Sequence, residues 1–204
     1  EKSEVNNSCL SRLQYFGVNS IEQEAQAKVI GSFIESPYFL ELRTNQQLGY
    51  IVAGGAASFD NSSYLYFIIQ SGNHPAEYLA SKSEEFTITL PDTLKKLTDE
   101  NFLIIKNSVV DKIKQKPTSI VEQAAKYYSL AFDYDGNFIR DEELINFVKN
   151  LTKEKASQVL SKALEDESLK RVTVLLYAKE HNIDDNIKPS FIDVKQWKKT
   201  RIYN

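Results

Sequence analysis

Methionine is absent from this chain of 204 residues, and cysteine occurs once, tryptophan once and histidine twice. A reading frame translated from residue 1 would begin with methionine, so the sequence is expected to be a fragment of a longer protein. The lone Cys9 excludes an internal disulfide, and a chain that folds without one suits a reducing compartment, which makes a cytoplasmic location the expectation. His74 and His181 lie far apart, and neither belongs to H-E-x-x-H or H-x-x-E-H. A zinc site needs several ligands at fixed spacings, so no metal is expected to bind this chain. Charge of either sign is not in excess: 25 Lys and Arg against 28 Asp and Glu give a net charge of -3. That excludes a general electrostatic attraction to nucleic acid or to an anionic membrane. No apolar run approaches the roughly 20 residues of a membrane-spanning helix, and Glu1-Lys2-Ser3-Glu4 lacks the basic-then-apolar pattern of a signal peptide.

What is present is material for a core: 42% of residues are hydrophobic, with 11 Phe and 11 Tyr. Leu10, Leu13, Tyr15 and Phe16, ending at Gly17, read as a strand and a turn. Ser20-Ile21-Glu22-Gln23 is a capping box, and Ile21, Ala25, Val29 and Phe33 follow at helical spacing, so a helix is predicted from about Ile21 to Glu35. Ser36-Pro37 is read as the start of a second short helix carrying Tyr38 to about Arg43. Leu48–Ala53 and Tyr64–Ser71 are β-prone runs, read as antiparallel neighbours separated by the small and polar stretch Gly54–Ser63. Further capped helices are predicted near Thr98, Ser119 and Thr152, and Val172–Ala178 reads as a late strand returning to the sheet. Residues 182–204, polar and carrying Pro189 and Trp197, are expected to form an extended tail beyond a domain of residues 1–181. This order implies an α+β domain with helices on one face of an antiparallel sheet.

Most residue constellations have ordinary readings. Both histidines fit surface or capping roles. Asp133-Tyr134-Asp135-Gly136-Asn137 fails as a calcium loop because Phe138 stands where glycine is needed and Leu144 where glutamate is needed. Lys112, Lys114 and Lys116 spread charge around a helix end and do not form a stripe that tracks phosphates. Gly54-Gly55 lacks a following phosphate-loop lysine, and Cys9 has no adjacent base to activate it.

The exception is Phe39-Leu40-Glu41-Leu42-Arg43-Thr44-Asn45-Gln46-Gln47-Leu48-Gly49-Tyr50-Ile51-Val52. It resembles the F-x-x-L-R-T-x-x-Q-L-G-Y signature of the pitrilysin and insulysin (insulin-degrading enzyme) family. Leu65–Ser71 resembles the strand that follows in that family, and Ala125-Lys126-Tyr127 a later helical segment, so the resemblance covers about Ile21 to Ala178. It implies a sheet of about six strands in the fourth of four related α+β domains, arranged as two halves around a peptide chamber. Zinc would be bound by an H-x-x-E-H helix in the first domain, so zinc is implied for the full-length enzyme and not for this chain. The implied partners are peptide substrates and the N-terminal half of the same protein, with a homo-oligomer left open. By the same resemblance Arg43 and Tyr50 match residues that approach the scissile peptide opposite the zinc, and Phe39 matches an aromatic of a side-chain pocket.

Physical chemistry supports such roles independently. Attack on a peptide carbonyl puts negative charge on oxygen, and donors fixed in a water-poor chamber stabilise that charge more than the ground state. A guanidinium that stays charged and a phenol on a rigid ring are suitable donors. Without the signature, Arg43 reads as a surface ion-pair residue and Tyr50 as a half-buried strand residue. The leading expectation is therefore a noncatalytic, substrate-binding and transition-state-assisting domain of a zinc metalloendopeptidase, inactive by itself. The alternative is an inactive structural or interaction module of the same fold. The two-histidine inventory generates a direct expectation: metal analysis of the purified, tag-free chain should find no stoichiometric zinc, and one tightly held zinc per chain would contradict it.

Overall fold

The computed structural model describes residues 4–18, 20–59, 62–165, 171–183, 188 and 194–199. Four strands, β1 (Ser8–Val18), β2 (Ile51–Phe59), β3 (Ser62–Ser71) and β4 (Arg171–Leu176), form one antiparallel sheet in the order β2-β3-β1-β4. The helices are α1 (Ile21–Phe39), α2 (Ala76–Thr87), α3 (Leu90–Lys96), α4 (Asp99–Lys114), α5 (Ile120–Tyr128), α6 (Arg140–Asn150), α7 (Lys153–Glu165) and the short α8 (Val194–Lys199). The α+β class holds, but the described sheet has four strands and not about six. The strands are longer than the sequence suggests. Gly54–Phe59, expected to be part of a connection, continues β2, with Phe59 opposite Ser62 of β3.

Sidedness follows from the two-residue period of the strands. Leu10 and Arg12 of β1 pair with Ile69 and Phe67 of β3, and all four are buried. The intervening Ser11, Leu13, Ile68 and Tyr66 face the other way and are only partly covered. Burying a side chain such as Phe67 contributes about 1.5–3 kcal/mol, so this alternation fixes the register.

Helix α1 lies between the sheet and the outer helices. It packs on β2 and β3 on one side and meets α4, α6 and α7 on the other. Accordingly it is buried nearly all round: Ala25, Val29, Ile30, Phe33, Ile34 and Tyr38 are apolar and buried, and so is Glu24. The Glu24 carboxylate is neutralised by an ion pair with buried Arg140, whose guanidinium lies 3.8 Å from the centre of the Tyr134 ring.

Pro37 does not start a new helix; α1 runs through it to Phe39. Proline forfeits one backbone hydrogen bond and normally bends a helix. Here the burial of Phe33, Ile34 and Tyr38 on either side holds the chain in place, and the Leu40 N–H donates to the carbonyls of both Ser36 and Pro37. The Tyr38 hydroxyl is hydrogen-bonded to Ser83 Oγ at 2.8 Å, locking α1 to α2, and burial raises the phenol pKa well above its ordinary value.

The predicted caps are present. Ser20, Thr98, Ser119 and Thr152 accept from the backbone N–H groups of Gln23, Asn101, Glu122 and Lys155. His74 stacks on Tyr78, and His181 Nδ1 is 2.7 Å from Ser8 Oγ, which also accepts from the Ala178 N–H. Both histidines thus serve packing and chain ties. Most of the expected tail, 182–204, including the Pro189 and Trp197 side chains, lies outside the described residues. No helix among the described residues is long and apolar enough to cross a membrane.

Small residues decide how closely α1 sits on β2. A Cβ on Gly31 would come within 2.6 Å of both Cβ and N of Ala56. Gly31→Ala is therefore expected to destabilise by about 1–3 kcal/mol through overpacking, outweighing the roughly 1 kcal/mol that alanine gains over glycine inside a helix. Denaturant unfolding checks the sign, and a stabilised Gly31→Ala chain would show that the contact is not tight.

Candidate functional site

The end of α1 leads into a π-helical turn, Leu40–Asn45, closed by the Gln46 N–H donating to Glu41 O at 2.9 Å. A π-turn adds one residue to the helical circuit and so shifts which side chains share a face. Its polar groups are satisfied locally. The side-chain amides of Gln46 and Asn45 donate to the Glu41 carboxylate at 2.9 and 2.8 Å and hold its pKa below the ordinary value. Glu41 is thereby occupied within the turn, and Arg43 makes no ion pair among the described residues. The surface ion-pair reading of Arg43 fails.

Arg43 is instead held by the chain it faces. Its Nη1 donates to the carbonyls of Gly49 at 3.1 Å and Tyr50 at 2.5 Å. The guanidinium carbon lies 5.5 Å from the Phe39 ring centre and 5.1 Å from that of Tyr50. A planar cation between two aromatic rings gains cation–π attraction and loses rotamer freedom. The structure thus brings together all three residues singled out in the sequence: Phe39 at the end of α1, Arg43 in the π-turn and Tyr50 just before β2.

Tyr50 does not lie within a strand, as expected for residues 48–53, because β2 begins at Ile51. Simple alternation would place Leu48, Tyr50 and Val52 on one side. Leu48 and Val52 are buried, but Tyr50 is 83% exposed. The cause is local. Gln47 adopts the left-handed region at φ 52°, and the Leu48 N–H donates back to Leu42 O at 2.9 Å, so the backbone turns before it extends. Gly49 then lies against β3, where a Cβ would sit 2.1 Å from Gln70 O, and the Tyr50 N–H donates to that same carbonyl at 3.1 Å. The half-buried strand reading of Tyr50 fails with the alternation.

Arg43 and Tyr50 border an open cavity of about 550 Å³, lined also by Gln47, Ser71, Gly72 and Asn73. Sequence reasoning missed the last three. They are the last residue of β3 and the two that follow it, and only the pairing of Ile51 with Gln70 carries them next to Tyr50. The lining is rich in hydrogen-bonding groups and holds no carboxylate. Among the described residues no three His, Cys, Asp or Glu side chains converge, so the donors present do not fit zinc.

Known proteins resemble this chain in sequence and in fold. Residues 29–128, which contain the whole cavity, match the family described as PQQ synthase PqqF-like, C-terminal lobe domain 4. The chain thus resembles a C-terminal domain of the pitrilysin/insulysin family in sequence and fold. It is 29% identical to insulin-degrading enzyme of Homo sapiens over 185 residues, spanning 90% of this chain and 18% of that protein. It is 25% identical to the A-factor-processing enzyme of Saccharomyces cerevisiae over 180 residues, 88% of this chain and 17% of that protein. The chain thus spans less than a fifth of the length of these relatives. The fold is similar to that of a crystal structure of pitrilysin with a TM-score of 0.80 and 21% identity, covering 98% of this chain and 22% of that one.

The turn before β2 yields its own expectation. Gly49→Ala would drive a methyl group into the Gln70 carbonyl, and a backbone atom cannot swing away as a side-chain end can. The chain should lose about 1–3 kcal/mol of stability by denaturant unfolding, whereas unchanged stability would show that residue 49 does not press on β3.

Proposed function

We propose that this chain is the noncatalytic, substrate-binding half-site of a zinc metalloendopeptidase, with the metal held by another part of the protein. The carrying observation is the pairing of Arg43 and Tyr50 at the mouth of a polar cavity. The Tyr50 phenol is exposed, and the Arg43 guanidinium is fixed beside it by two rings and two carbonyls.

The chemistry assigned to these residues is that of preorganised donors. With Nη1 engaged by the Gly49 and Tyr50 carbonyls, Arg43 retains Nη2–H and Nε–H groups to bond the carbonyl oxygens of a peptide. Its charge persists at every working pH. Tyr50 adds one directional O–H toward the oxygen on which charge develops. Their value depends on a water-poor chamber, where a hydrogen bond to a developing oxyanion is worth more than in water. Phe39, 45% exposed, supplies an apolar wall for a substrate side chain. The isolated chain is expected to hydrolyse nothing. The unpaired Cys9 fits a cytoplasmic setting.

An interaction-module reading has its own support in α5. Ile120, Val121, Tyr127 and Tyr128 are exposed, as is Phe132 in the π-helical stretch that follows, while Lys126 on the opposite side pairs with Asp141 of α6. An amphipathic helix that turns its apolar side outward fits a covered surface in the larger protein. The N-terminal half of the same polypeptide is the partner we assign to it, so both readings can hold for one chain, and turnover separates them. In the full-length, zinc-loaded enzyme, Tyr50→Phe should lower kcat by about 10²-fold or more with little change in KM. Arg43→Ala should raise KM as well as lower kcat, because Arg43 also holds the substrate in the ground state. Full turnover by a correctly folded Tyr50→Phe enzyme would make Tyr50 a packing residue and leave the interaction module as the function.

A further inference from the structure

The left-handed backbone of Gln47 is fixed by its neighbours and gains nothing from glutamine itself. Leu48 is buried and tied to Leu42 O, and Gly49 is pressed against Gln70 O, so residue 47 must turn with φ near 52°. Glycine adopts this conformation freely, and asparagine tolerates it better than most residues; glutamine is strained there. The Gln47 side chain is exposed, makes no hydrogen bond among the described residues and borders the cavity with Arg43, Tyr50 and Asn73. An amide kept at a strained position, unused by the fold and bordering a polar cavity, is explained by a ligand it meets there.

We infer that Gln47 is a substrate-contacting residue whose side-chain amide bonds the backbone of a peptide lying across Arg43 and Tyr50. The chemical match is direct. A carboxamide carries one acceptor and two donors, and so does the job of a neighbouring peptide unit for an extended chain's N–H and C=O. Recognition through backbone groups is indifferent to side-chain identity, so the contact should serve many peptide sequences equally. This inference rests on reading the cavity as a peptide site, but it assigns Gln47 to binding and not to turnover.

The test uses the full-length, zinc-loaded enzyme and an internally quenched peptide with alanines flanking the cleaved bond, which leaves little but backbone to recognise. Gln47→Gly relieves the strain and removes the amide. It should unfold at an equal or higher temperature than the parent, yet raise KM several-fold with kcat within about twofold. Gln47→Asn keeps an amide on a residue that tolerates the left-handed region, and should recover part of the lost KM. An unchanged KM in Gln47→Gly overturns the inference, as does a fall in kcat at constant KM, which would mean that residue 47 only positions Tyr50. Tyr50→Phe run beside them separates this from the catalytic reading. Full turnover there with a raised KM in Gln47→Gly leaves the Gln47 contact standing without the oxyanion role. Lost turnover with an unchanged KM in Gln47→Gly does the reverse.

Discussion

The close seating of α1 on β2 sets the position of everything at the site. Gly31 on the helix lies against Ala56 on the strand, and a Cβ at Gly54 would meet the Tyr38 ring and Ile34 at 3.0–3.1 Å. Small residues on both elements therefore let the helix axis approach the sheet more closely than larger side chains would permit. Because α1 then continues through Pro37 into the π-turn, its C-terminal end reaches the start of β2, where Arg43 meets the Gly49 and Tyr50 carbonyls. A helix seated farther out would carry the guanidinium away from those acceptors.

That contact also explains how an exposed tyrosine can be oriented without being buried. The Tyr50 ring has little packing of its own, and its direction comes from the backbone on either side: the left-handed Gln47, the Gly49 contact with β3 and the Arg43 hydrogen bonds. Arg43 has two functions in this arrangement. Its Nη1 closes the turn through two carbonyls, and the guanidinium carbon lies within 5.5 Å of both ring centres, so that in the proposed role the remaining N–H groups serve a ligand. Fixing a donor before substrate arrives is what allows it to favour a transition state over a ground state. The two exposed aromatics, Phe39 and Tyr50, are thus parts of one arrangement centred on the cation between them.

Much of this could be read from the residues. The capping serines and threonines placed the starts of α1, α4, α5 and α7, the β-prone runs Tyr64–Ser71 and Val172–Ala178 placed β3 and β4, and the run from Phe39 to Val52 singled out the trio at the site. What escaped reading was governed by packing. Pro37 signals a helix start by local rules, but Phe33, Ile34 and Tyr38 hold the helix through it. Gly54–Ala57 has poor strand propensity, yet it forms β2 because α1 needs small residues opposite it. Tyr50 left the expected alternation because of a positive φ at a glutamine, which no propensity scale anticipates. Ser71–Asn73 entered the cavity through strand register, a long-range feature.

The account depends on Arg43 and Tyr50 acting as one unit, and a double-mutant cycle in the full-length enzyme measures that directly. Arg43→Lys, Tyr50→Phe and the double variant are compared through kcat/KM on one peptide, with folding and zinc content verified for each. If the guanidinium orients the phenol, the losses should be strongly non-additive, with a coupling of about 1 kcal/mol or more. Losses that simply add would mean that the two side chains act independently, and that the ring–cation–ring arrangement is packing without a share in the chemistry.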